Sequence, residues 1–111
     1  MIAIPKTFEL AGRKWRVMYC TAEQARAHSG KDFDFNKASG YTSMTHATIY
    51  LIKDDREGAD YVRLTFWHEL EHAIEMAQGN YYEDHNEAAI EAAAQYRHQF
   101  DKTRKGETKL D

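Results

Sequence analysis

Apolar and polar positions follow two periods along the chain, one near two in the first half and one near 3.6 in the second. Thr7 to Leu10 and Lys14 to Tyr19 alternate as strands do, and Ala11-Gly12-Arg13 between them predicts an opening hairpin. Thr21 is a capping residue for a short helix over Ala22 to His28, which Ser29-Gly30 ends. Residues 31 to 40 are polar, with a turn at Gly40. Gly40 to Met44 and Ala47 to Ile52 predict two further strands, the second through the β-branched and aromatic run Thr48-Ile49-Tyr50-Leu51-Ile52. The period then changes. Asp54 with Glu57 three residues on has capping-box spacing. A helix follows over Ala59 to Gln78, stopped by Gly79-Asn80, and a second over Asn86 to Lys102. Strands first and helices after predict an α+β domain over residues 1–102, followed by a charged, frayed tail over 103–111.

Composition narrows the function classes. A chain of 111 residues buries only about two-thirds of its unfolded surface, which leaves room for one core and one site. No run of about 18 apolar residues exists, and the N-terminus lacks the basic and apolar regions of a secretory signal. The expectation is a cytoplasmic protein without membrane contact. The single cysteine, Cys20, excludes an internal disulfide framework and a thiolate zinc cluster. It reads as a small buried residue, since no histidine or basic residue is recognisably paired with it. The net charge of −3 argues against direct nucleic-acid binding. Asp32, Asp34, Asp54 and Asp55 lack the spacing of a calcium loop.

The six histidines are unusual for this length, and their placement carries the chemistry. His68-Glu69-Leu70-Glu71-His72 is an HExxH sequence inside the longer helix. Histidines four apart lie one above the other on a helix face, so both imidazoles can reach one Zn2+ about 2 Å from each nitrogen. Val62, Phe66, Leu70, Ala73, Ile74 and Ala77 form an apolar stripe, and the two histidines point away from its centre. The plainer alternative is a solvated His/Glu face, against which the apolar frame around the motif argues. The same five residues also read as the inverted motif HxxEH, with Glu71 as the base. Glu69 and Glu71 flank the histidines almost symmetrically, so the wheel does not choose between them. The 39 residues after His72 are short for an inverted-motif enzyme, which favours Glu69.

A catalytic zinc needs a third protein ligand and an open position. The extended HExxHxxGxxH pattern fails, because Glu75 and Gln78 stand at its last two fixed positions. The second helix puts Glu87, Glu91, Ala94 and His98 on one face and the apolar Ala89, Ala93, Tyr96 and Phe100 on another. A short turn makes the two helices antiparallel, so an early glutamate can face the histidine pair. The residues themselves leave Glu87, Glu91, Asp84 and His85 open as the third ligand. Tyr81, Tyr82, Tyr96, His85 and His98 are candidates to steady a developing oxyanion. Trp15 and Trp67 read as core, and His28 and His46 as surface residues in or near turns.

His68-Glu69-x-x-His72 followed by Asn86-Glu87-x-x-x-Glu91 resembles the gluzincins, the thermolysin-like zinc peptidases, and the small HExxH proteins of phages and prophages. The resemblance covers residues 40 to 100. It implies a small zincin-like domain in which the strand Ala47 to Ile52 leads toward the active-site helix. It makes Glu87 the third zinc ligand and Glu91 the support of a ligand histidine. It also implies a zinc peptidase acting on a peptide or protein, with Glu69 as general base toward a zinc-activated water. The peptide would add to an exposed strand over Tyr41 to Thr45. A zinc-binding phage or prophage interaction module without catalysis would carry the same pattern, and a peptidase acting on DNA-bound proteins is a third reading. The tail is a candidate autoinhibitory segment through one of its carboxylates.

Overall fold

The computed structural model describes residues 4–30, 37–54 and 58–110. Four strands form one mixed sheet: β1 (Thr7–Leu10), β2 (Arg13–Cys20), β3 (Gly40–Ser43) and β4 (Thr48–Ile52), in the order β1-β2-β4-β3. Helix α1 (Ala22–Ser29) follows β2, and α2 (Ala59–Ala77) and α3 (Glu87–Thr103) follow the last strand. The α+β class and the element order therefore agree with the sequence pattern. The opening hairpin closes on two residues rather than three. Leu10 pairs with Arg13, and Ala11 and Gly12 both take positive φ, 51° and 78°, the geometry that matches the twist of a two-residue hairpin.

The sheet departs from a simple meander. β2 and β4 run parallel, with Val17 opposite Ile49 and Tyr19 opposite Leu51, so α1 and β3 belong to a crossover between them. β3 then pairs antiparallel with β4 and becomes an edge. Because side chains alternate across a strand, β4 sends Ile49 and Leu51 to one face and Tyr50 to the other. Ile49 and Leu51 join Trp15, Phe66 and Ala73 in the main core beneath α2. Tyr50 joins Cys20 and Ala25 in a smaller cluster beneath α1. Thr21 caps α1 with a full capping box to Gln24.

The apolar stripe of α2 faces the sheet as its spacing predicts, with Phe66 and Ala73 buried and Val62 and Leu70 packed against the core. Trp15 is fully buried, while Trp67 is half-buried at the edge of the same cluster. Gly58 caps α2 without a side-chain bond. Of the expected capping box, Glu57 lies outside the described residues, as do Asp32, Asp34 and Asp55 of the acidic group. A Gly79 turn with φ 91° ends α2, and a 3₁₀ turn (Tyr82–Asp84) leads into α3, where the Asn86 side chain accepts from Ala89 N. α3 runs antiparallel along α2, as shown by His72 beside Glu87 at one end and Asp60 beside Lys102 at the other.

α3 turns its expected glutamate face toward α2. The aromatic face does not pack: Tyr96 is 73% and Phe100 70% exposed. Ile90, Ala94 and Asp101 are the buried positions, so the Glu87–Glu91–Ala94–His98 face turns toward α2. Small Ala94 allows close helix approach, and the carboxylates meet the α2 histidines in place of an apolar seam. The tail leaves the far end of α3. Residues 104–110 are exposed, and Arg104 pairs with Asp101 at that end. Among the described residues no helix is long and apolar enough to cross a membrane.

Candidate metal centre

His68 and His72 project from α2 toward the first turns of α3, with ring centres 5.1 Å apart. Glu87, the first residue of α3, reaches both: Oε1 lies 3.2 Å from His72 Nε2 and Oε2 lies 3.5 Å from His68 Nε2. The N-terminal end of a helix favours a carboxylate at this position. One donor atom from each of the three residues fits within 4.8 Å of the others, and among the described residues no other group of three such side chains does so. Asp84, Glu91 and His85, the other candidates for the third donor, stand outside this set.

Glu91 and His85 lie behind the histidines. Glu91 Oε2 is 2.6 Å from His68 Nδ1, so the nitrogen donates and the carboxylate accepts. His85 Nε2 lies 3.1 Å from the Asn80 carbonyl, which only accepts; the proton of His85 therefore sits on Nε2 and its Nδ1 is a bare acceptor. His72 Nδ1, 2.7 Å from that acceptor, must donate to it. Both α2 histidines thus donate from Nδ1 to an outer partner and turn Nε2 toward Glu87. His72 Nε2 is fully buried and lacks a hydrogen-bond partner, an arrangement that is costly unless a ligand takes the lone pair. Burial also holds the His72 imidazole neutral, with its pKa lowered to about 4 against the opposing pull of Glu87. Two imidazoles and a carboxylate, each imidazole oriented by an outer partner, fit Zn2+ in donor type and number.

Glu69 and Glu71 have different surroundings. Glu71 is ion-paired to Arg97 of α3. Glu69 is 4% exposed and shares a cleft of about 260 Å³ with His68, Tyr82 and Gly40. Burial, reinforced by the Glu87 charge and opposed by Thr42, pushes its carboxyl up to about 8. The Thr42 hydroxyl donates to the Glu69 carbonyl at 2.9 Å and so ties the edge strand to this turn of α2. Gly40 makes that approach feasible: a Cβ there would stand 2.8 Å from Thr65 Cγ2 and 3.0 Å from Glu69 Cγ. The sequence marks Gly40 only as a turn residue, and nothing in the pattern signals its contact with α2.

Tyr82 stacks on His72 with ring centres 4.6 Å apart. Burial first, then the Glu69 and Glu87 charges, raise its phenol to about 12, so it is a proton donor across the neutral range. A second cleft of about 550 Å³ continues past Tyr82 along β3, lined by Tyr41, Met44, Met76 and Tyr81 among others. Two of the other oxyanion candidates fall elsewhere. Tyr96 points outward, and His98 sits beside Asp60 at the far end of the helix pair. Cys20 is buried, and burial raises its thiol pKa against the opposing pull of Lys53, which suits packing rather than nucleophilic attack. Comparison with protein families, with curated proteins and with solved structures finds no match to this chain.

Proposed function

We propose that this chain is a zinc-dependent metallopeptidase in which His68, His72 and Glu87 hold the ion and Glu69 is the general base. The observation that carries the reading is the convergence of His68 Nε2, the unpartnered His72 Nε2 and the Glu87 carboxylate, with the buried Glu69 carboxyl in a cleft lined by His68. The gluzincin resemblance of His68-Glu69-x-x-His72 and Asn86-Glu87-x-x-x-Glu91 supports it. A zinc ion held there would supply a Lewis acid for the scissile carbonyl and lower the pKa of a water molecule. Glu69 takes the proton of the attacking water on its free carboxylate oxygen and returns it to the leaving amine. Glu91 and His85 keep His68 and His72 in the tautomer that turns Nε2 inward. Tyr82 lines the same cleft, and its O–H is a donor for the oxygen on which charge develops. β3 is an edge strand among the described strands, where an extended peptide can add, with the two clefts receiving its side chains.

The substrate class is therefore a peptide or protein, with no nucleic-acid or membrane contact in the reaction. The reading places it in a reducing cytoplasm, in keeping with one buried, unpaired cysteine. The test is a peptide-library digest with zinc-loaded chain. Cleavage by the native chain, removed by chelator and by Glu69→Gln with zinc still bound, is the expected result. Zinc bound without cleavage of any peptide would overturn the enzymatic reading and leave a zinc-binding module.

A further inference from the structure

The sheet face opposite the α2–α3 site carries a second pair of histidines. His28 stands in the last turn of α1 and His46 in the turn between β3 and β4, eighteen positions apart in the chain. Their rings come together with centres 5.6 Å apart and planes inclined at 54°. Each ring is held by one nitrogen. His28 Nδ1 lies 2.7 Å from the hydroxyl of Tyr50, a fully buried residue of β4. His46 Nδ1 lies 3.1 Å from the hydroxyl of Ser43, the last residue of β3. Both anchors are rigid, because they rise from neighbouring strands of one sheet. Among the described residues no hydrogen bond or ion pair occupies Nε2 of either ring.

We propose that His28 and His46 form a second site for a divalent transition metal, separate from the α2–α3 site and of the Zn2+ or Cu2+ class. The centre of an imidazole lies about 3.2 Å from a metal bound at about 2 Å from its nitrogen. Two rings whose centres are 5.6 Å apart therefore subtend an angle of about 120° at a shared ion, close to the tetrahedral and trigonal range. Hydroxyls behind Nδ1 give the tautomer logic of metal sites a second time. Either hydroxyl can accept from Nδ1–H, and with both accepting, both Nε2 lone pairs face outward. Two protein ligands leave the remaining positions to water, so this site binds more weakly than one with three ligands. An ion there ties the end of α1 to the β3–β4 turn across the Tyr50 cluster and stabilises the native chain by mass action.

The experiment is a Zn2+ titration of the full metal-free chain, with bound metal counted after equilibrium dialysis. The native chain, His28→Gln, His46→Gln and His72→Gln are compared. The expected result is two classes of Zn2+ in the native chain, with the weaker one lost in His28→Gln and in His46→Gln while the tighter one remains. Loss of the tighter class in His72→Gln with the weaker retained belongs to the α2–α3 site alone, so the two sites fail separately. A native chain that binds one ion, or a weaker class unchanged in both His28→Gln and His46→Gln, overturns the proposal. A second readout on the native chain uses Cu2+ at substoichiometric amounts after the α2–α3 site is filled with Zn2+. Selective paramagnetic broadening of the His28 and His46 ring signals is expected, and broadening that spares them overturns the proposal.

Discussion

Replacing Glu69 by glutamine separates the electrostatics of the site from its chemistry. In the metal-free chain the Glu69 carboxyl is pushed from 4.5 to about 8, chiefly by burial. Unfolded, it titrates near 4.5. Between these values the folded state holds a proton that the unfolded state has released, so stability falls as pH rises. The slope approaches 1.36 kcal/mol per pH unit, roughly 4 kcal/mol in all between pH 5 and pH 8, as an upper bound. Glu69→Gln has the same shape and cannot ionise, so this slope vanishes. His72 titrates in the opposite sense, because its lowered pKa costs stability as pH falls through 6.5. That contribution is common to both proteins and cancels in their difference. Urea unfolding of metal-free native chain and Glu69→Gln at pH 5, 6, 7 and 8 measures the difference directly. The variant gains on the native chain by about 1 kcal/mol per pH unit across this range if the reasoning holds. Parallel stability curves for the two proteins would refute the burial argument.

Other substitutions test the supporting parts. Arg97→Ala leaves the buried Glu71 carboxylate without its cation and costs about 1–3 kcal/mol of stability by denaturant unfolding, while zinc affinity is retained. Gly40→Ala forces a methyl group against Thr65, Glu69 and the Tyr50 carbonyl. It costs about 1–3 kcal/mol and lowers peptide cleavage, because the turn of α2 that bears Glu69 must shift. His85→Ala and Glu91→Ala each remove the partner that fixes a histidine tautomer. Each weakens zinc binding about 10–100-fold by competition with a chelating dye, whereas Glu87→Ala removes a ligand and weakens it further. Tyr96→Ser and Phe100→Ser alter exposed residues and shift stability by less than about 0.5 kcal/mol in thermal unfolding.

Local signals carried most of the secondary structure. The 3.6 stripe of α2, the β-branched run of β4 and the Thr21 cap of α1 each lie within one element, and each formed with boundaries within about two residues of the sequence pattern. What the pattern left open depended on contacts between distant segments. The wheel sets Glu69 and Glu71 symmetrically about the histidines, and only Arg97, a full helix later, separates them. The wheel of α3 sets the Glu87–Glu91–Ala94–His98 face apart from the Tyr96 and Phe100 face but leaves Glu87, Glu91, Asp84 and His85 open as the third donor. The facing histidines and small Ala94 turn Glu87 and Glu91 inward, with Glu87 reaching both rings. The parallel pairing of β2 with β4 is likewise nonlocal, and the approach of His28 to His46 follows from it. The sequence pattern places both at the surface in or near turns. Their exposure agrees, but the crossover that brings the end of α1 to the β3–β4 turn is not encoded in either segment alone.

The central claim is that α2 and α3 together hold one catalytic zinc through His68, His72 and Glu87. A crystal structure of the zinc-loaded chain tests it most directly. The account predicts an ion bound by Nε2 of both histidines and a carboxylate oxygen of Glu87, at about 2.0–2.2 Å. Glu91 and His85 would remain behind the histidine rings, and one open coordination position would face Glu69. Zinc absent from this position, held by four protein side chains, or bound by Glu91 in place of Glu87 would contradict it.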